Sequence, residues 1–137
     1  LNLLSTIRMC RALVPSMQER GWGRVVAITS STVREPSPVL IPSTTARAGL
    51  TGFLKTMATE VAPDGVTVNS VQPGPHATDR LAEIYDDLDA VAAGLPVRHL
   101  GDPDDFGRVV AFLCSKSARS ITGAALPVEG GSLRAIQ

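Results

Sequence analysis

Two short apolar runs, RVVAIT at residues 24–29 and VTVNSV at residues 66–71, each follow a stretch with helical apolar spacing. This alternation restricts the fold more than any other feature of the chain. A run of six residues is short for a core helix and suits a buried strand. Ahead of the first run, Leu3, Ile7, Cys10, Val14 and Met17 recur at helical spacing and predict a helix that ends near Gly21, with Pro15 as a kink. Between the runs, Ala46, Leu50, Phe53, Met57 and Val61 mark a second helix that stops before Pro63-Asp64-Gly65, with a polar, proline-rich loop ahead of it. Strands separated by helices require crossover connections. The expected fold is therefore an α/β layer structure with a parallel sheet and right-handed crossovers.

Beyond the second strand lies a mixed segment from Pro73 to Gly101, with short helices expected around Leu81 to Tyr85 and Leu88 to Ala93. Its length predicts a lid or substrate loop. Asp102 then stands where a side-chain cap would open a third helix, with Pro103 at the first position and Asp104 and Asp105 in the first turn. Phe106, Val109, Val110 and Leu113 give that helix its apolar face. Leu126-Pro127-Val128 reads as a last short strand, which Pro127 assigns to a sheet edge. No repeat, low-complexity tract or linker divides residues 1–137, so a single domain is expected. Because the chain opens in mid-pattern and without Met, that domain reads as a fragment of a longer one.

Composition narrows the function. With 44% hydrophobic residues the chain can bury a core, and its 13 basic residues cancel its 13 acidic ones. Such a balance provides no basic field for nucleic acid or anionic lipid, and no apolar run approaches the length of a membrane span. Cys10 and Cys114 lack metal-ligand spacing, so two buried thiols, no metal and a cytoplasmic location are expected. A serine hydrolase fits poorly, because no G-x-S-x-G elbow is present and neither His76 nor His99 has a recognisable partner.

The order of Asn2, Ser30 after VVAIT, Ser43 and Arg47 in PSTTARAG, then PGPHAT and TGAALPVEGG, resembles the C-terminal half of the short-chain dehydrogenase/reductase family. The resemblance is strongest to the branch with the 3-oxoacyl carrier-protein reductases and the sugar or steroid dehydrogenases. It implies the C-terminal part of a Rossmann-like, doubly wound parallel sheet, with about three strands and flanking helices. It also implies NAD or NADP as cofactor, a carbonyl or alcohol substrate, hydride transfer, and a homodimer or tetramer. The first βαβ units, with their glycine-rich phosphate loop, would precede Asn2. The rival reading is a catalytically degenerate nucleotide-binding or scaffold protein of the same fold.

In the family a serine holds the substrate carbonyl, a tyrosine thirteen positions later donates a proton, and a lysine four further on lowers the tyrosine pKa and grips the nicotinamide ribose. Ser30 keeps that spacing, but Ser43 and Arg47 stand at the tyrosine and lysine positions. A serine hydroxyl is a poor general acid, and arginine keeps the charge without being able to relay a proton. Ser43 reads either as a carbonyl ligand or as a helix cap. Asn2 matches the family's proton-path asparagine and equally suits a helix cap. Arg47, Pro73, Gly74, His76 and Thr78 are the implied cofactor contacts, Thr78 completing P-G-x-x-x-T. For His76 two uses remain open, a replacement acid or a backbone contact alone. The only tyrosine, Tyr85, has Asp89 four positions on, so no other register restores Y-x-x-x-K. Tyr85 is a substitute acid or a packing residue. Asn69 matches a structural strand asparagine, Gly123, Gly130 and Gly131 read as turns, and Glu129 stands where aspartate is usual.

Overall fold

The computed structural model describes residues 2–134. Helix α1 (Leu4–Glu19) leads to strand β1 (Gly23–Ile28), helix α2 (Ile41–Val61) to strand β2 (Val66–Pro73), and the short helices α3 (Asp79–Ala82) and α4 (Leu88–Gly94) to α5 (Pro103–Cys114) and strand β3 (Ala125–Val128). The three strands are parallel in the order β1-β2-β3. Gly23 pairs with Val66 and Ile28 with Val71, while Ser70 pairs with Ala125.

Central β2 is buried along all but its last residue. That explains why its period is hard to see in the sequence: a strand covered on both faces has no solvent side to alternate toward. Its polar members have local uses. Asn69 Nδ2 donates to Ile121 O at 2.8 Å, and its Oδ1 accepts the Ala124 amide at 3.0 Å, stapling the turn that enters β3. Pro127 sits on edge strand β3, where its missing N–H breaks no ladder.

The main core lies on one face, where Cys10 and Val14 of α1 and Leu50, Leu54, Met57, Ala58 and Val61 of α2 meet Ala27, Val66 and Val68. Helix α5 lies on the opposite face. Arg24, whose side chain points away from Gly23 and Val25 by strand alternation, donates through Nε to Ser115 O at the end of α5, 3.3 Å away. The steps β1 to β2 and β2 to β3 run the same way across the sheet, with α2 and α5 on opposite faces, so the two crossovers have opposite hands. The expectation of right-handed connections therefore fails for one of them. The long connection through residues 74–124 carries three helices, whereas the handedness rule describes a single crossover element.

Three local expectations are corrected. Helix α1 has Leu3 at its cap position and no side chain caps it, so Asn2 is not the cap. Helix α2 begins at Ile41, five residues before Ala46, with Pro42 in its first turn, where the fixed φ of proline suits a helix start. Ser43 is thus inside the helix and caps nothing. Finally, Cys10 is buried but Cys114 is exposed. Cys114 shares the outer stripe of α5 with Gly107 and Ala111, both exposed, while the stripe ending at Leu113 faces the sheet. Asp102 does cap α5, its Oδ1 accepting the amides of Asp104 and Asp105 at 2.7 and 3.4 Å.

Candidate active site

The C-terminal end of β1 is where a parallel strand leaves its last carbonyls without ladder partners on the open edge. Arg47, one and a half turns into α2, reaches them: Nη1 donates to Ile28 O at 2.7 Å and to Thr29 O at 2.8 Å. Its Nε donates to Ser43 Oγ at 3.2 Å, one helical turn back. Arg47 is thus half-buried and fixed by three hydrogen bonds, not an ordinary exposed helix arginine. Nη2 has no hydrogen-bond partner among the described residues.

Ser30 follows directly on the carbonyl of Thr29 that Arg47 holds, and is half-buried. Its Oγ accepts the Thr32 amide at 3.2 Å and lies 2.8 Å from Thr32 Oγ1, which fixes the 3-10 turn Ser31–Val33. Asn2 is exposed and lines two open hollows. One, of about 500 Å³, runs between α1 and β1 and is shared with Arg47; the other, of about 480 Å³, is shared with Ser43. The structure therefore brings Asn2, Ser30, Ser43 and Arg47 to one end of β1.

The implied cofactor residues sit at the neighbouring end of β2. Pro73 closes the strand, and the Gly74 amide donates to Val128 O at 3.0 Å. A Cβ on Gly74 would come within 2.6 Å of Glu129 Cβ, so this close approach of two backbones excludes any larger residue. His76 turns elsewhere. Its Nδ1 lies 3.0 Å from Gly74 O, and its ring packs edge-on against Phe106 at 5.0 Å between centroids. The hollow it lines, about 200 Å³, is shared with His99, Asp102, Asp105 and Glu129, and with neither Ser30 nor Ser43. Thr78 Oγ1 accepts the Leu81 amide at 3.3 Å and so caps α3. Tyr85 is 45% exposed at the end of α3 and neither packs in the core nor lines the hollows beside Asn2.

Two contributions escaped the sequence reading. Arg34 donates through Nε to Gln72 Oε1 at 2.6 Å and through Nη2 to Ala125 O at 2.7 Å, tying the loop after Ser30 to β2 and β3. Thr44 joins the Ser30 turn to α2, its Oγ1 donating to Thr32 Oγ1 at 3.1 Å. Both pairings join residues far apart in sequence, and no local pattern announces them. Among the described residues, no group of three or more His, Cys, Asp or Glu could hold a metal ion, and no helix is long and apolar enough to cross a membrane.

A parallel sheet with helices on both faces and polar side chains gathered at its C-terminal strand ends defines an α/β protein of Rossmann-like architecture. Comparison with known proteins sharpens this class. A family model described as enoyl-(acyl carrier protein) reductase matches residues 1–132. The acetoacetyl-CoA reductase of Cupriavidus necator is 40% identical over 131 residues, which are 95% of this chain and 53% of that protein. Among solved structures, YwfH, an NADPH-dependent reductase involved in bacilysin biosynthesis, superposes with a TM-score of 0.92 at 26% identity, covering 97% of this chain and 56% of that one. A short-chain dehydrogenase/reductase family protein superposes with a TM-score of 0.87 at 35% identity over 95% of this chain and 54% of that one. This chain belongs to the short-chain dehydrogenase/reductase family of oxidoreductases. It spans about half the length of the curated relatives it matches.

Proposed function

We propose that this chain forms the carbonyl-binding part of an oxidoreductase that passes a hydride between NAD or NADP and a small-molecule carbonyl or alcohol. The supporting observation is the cluster at the end of β1, where Arg47 is locked against Ser43, Ile28 O and Thr29 O beside Ser30. The relative named acetoacetyl-CoA reductase acts on one such carbonyl.

The residues present fit a nicotinamide nucleotide. Its carboxamide and ribose require hydrogen-bonding groups at the ends of parallel strands, and the unspent Nη2 of Arg47 and the backbone around Pro73, Gly74 and His76 are of that kind. Thr78 would add its hydroxyl. When bound, the nucleotide supplies or removes the hydride. This chain's own residues hold the oxygen: the Ser30 and Ser43 hydroxyls donate to it, and the Arg47 charge favours the developing alkoxide. A guanidinium is no proton relay, so in reduction the proton that completes the alcohol comes from water, and in oxidation it returns there.

Two further properties belong to this reading. The hollow between α1 and α2, lined by Val14, Phe53, Met57 and Val61 among others, supports self-association as a homodimer or tetramer. The free thiols of Cys10 and Cys114 suit the cytoplasm. The second reading, a degenerate nucleotide-binding or scaffold protein, is favoured by one observation: the cluster contains no phenol, and Tyr85 lies outside it.

The deciding experiment follows NADPH and NADH consumption with a simple activated ketone, using the protein in its natural reading frame. Turnover that drops about 100-fold in Ser30→Ala supports the oxidoreductase, this being the scale of a lost oxyanion donor. Tight nucleotide binding without turnover on any ketone selects the degenerate reading.

A further inference from the structure

The hydroxyls around Ser30 form a chain with a direction. Thr44, in the first turn of α2, behaves unlike its neighbours. Thr45 and Thr51 return their hydroxyls to the carbonyls four residues back, Ile41 O and Arg47 O, each at 2.9 Å. Thr44 Oγ1 instead leaves its helix and donates to Thr32 Oγ1 at 3.1 Å, and Thr32 Oγ1 lies 2.8 Å from Ser30 Oγ.

A hydroxyl has one hydrogen to give and two acceptor positions. Thr44 fills one acceptor position of Thr32 Oγ1, and Ser30 Oγ is the one acceptor within reach of the Thr32 hydrogen among the described residues, so we assign that hydrogen to Ser30. Ser30 Oγ then accepts twice from Thr32, once from the hydroxyl and once from the backbone N–H at 3.2 Å. Both acceptor positions are filled, and the Ser30 hydrogen is the only one left to place. Under this assignment Ser30 has no acceptor for it among the described residues, and the hydrogen is left for a ligand. A side chain that in solution both gives and takes has become a donor alone.

We infer that Thr32 and Thr44 are positioning residues that fix Ser30 as a hydrogen-bond donor to the carbonyl oxygen of the substrate. This rests on the carbonyl site proposed above. The donor is oriented before the substrate arrives, so no hydroxyl has to reorganise while charge develops on the oxygen. The requirement is acute in this chain. The hydroxyl at position 43 cannot supply an acidic phenol, and more of the oxygen's stabilisation falls on Ser30.

The test uses the protein in its natural reading frame, with ethyl acetoacetate carrying ¹³C at the keto carbon. Two quantities are read: kcat and KM with NADPH or NADH, and the infrared keto band in the dead-end complex with oxidised nucleotide. Thr32→Val and Thr44→Val remove the hydroxyls at nearly constant shape, and Thr44→Ala, which cannot overpack, is measured beside them. The expected result is a wild-type band below its position in free ketone and a return toward that position in these variants. A fall of about tenfold in kcat should accompany it, with KM for the nucleotide unchanged. Thr32→Ser and Thr44→Ser should restore both band and rate. Wild-type band and kcat in the hydroxyl-free variants overturn the inference and leave the carbonyl site standing. A slower rate with an unmoved band, or one that serine does not rescue, assigns packing and also overturns it. A wild-type protein that neither shifts the band nor consumes nucleotide overturns the carbonyl site and the inference together.

Discussion

At position 43 the decisive quantity is acidity. The serine there has its Oγ engaged by Arg47 Nε at 3.2 Å, yet a cation bound to the oxygen does not bring an aliphatic hydroxyl near neutrality as it does a phenol, whose pKa starts near ~10. Replacing both partners, Ser43→Tyr with Arg47→Lys, supplies an acid and a cation that can lower its pKa. The double variant should raise ketone reduction above wild type and above Ser43→Tyr alone, as read from NADPH and NADH consumption in folded proteins. Unaltered rates with cofactor still bound would show that the pocket serves another chemistry. His76 presents the opposite case. Its ring is committed to Gly74 O and Phe106. His76→Gln should therefore lower the melting temperature while leaving reduction within about twofold, whereas a general acid at this position would cost on the order of 100-fold.

Among the elements, the ends of strands and helices carry the function. The close approach of Gly74 to Glu129 holds the end of β2 against the turn after β3. A methyl group there has no space, because the nearest atoms include Glu129 Cα at 2.7 Å, which is backbone and cannot swing aside. Gly74→Ala should cost about 1–3 kcal/mol in chemical denaturation, the range for overpacking, and weaken nucleotide binding with it. Ending helix α5 differently tests only stability. Asp102→Ala removes the acceptor for the Asp104 and Asp105 amides, and a loss of about 1 kcal/mol with unchanged kcat is expected. This cap was legible because capping is local: an acidic residue, a proline and two more acids in succession leave little choice. The start of α2 was not. The hydroxyl run Ser43-Thr44-Thr45 has weak helix propensity, and its helix is tied by Thr44 to the turn after β1 and by Arg47 to the carbonyls of Ile28 and Thr29 at the end of β1.

For the molecule as a whole, the exposed flank of β1 matters most. Strand β1 pairs only with β2 among the described residues, Ile28 is 53% exposed, and Met9 and Leu13 of α1 border the same hollow at 60% and 48%. Unpaired strand edges beside apolar side chains invite association. The 137-residue chain should sediment with little monomer, and Met9→Lys with Leu13→Lys should increase the monomer fraction. A monomeric wild type at high concentration, with slowly exchanging amides in Val25 to Ile28, would show that this edge is protected.

The sequence by itself determined the alternation of helices and parallel strands, the cap of α5, the edge position of β3 and the spacing that links Ser30 to position 43. The first three follow from local periodicity or from residues close in the chain, and the spacing from the resemblance to the family. Only the tertiary structure decided that α2 begins at Ile41, that α5 crosses to the other face, that Arg47 is held by β1, that His76 turns toward Phe106, and that Thr44 reaches Thr32. Each of these depends on partners outside the local segment or on the face a long connection selects. Hydrogen-bonding side chains carry no period that would reveal such partners, and the packing of the sheet alone brings them within reach.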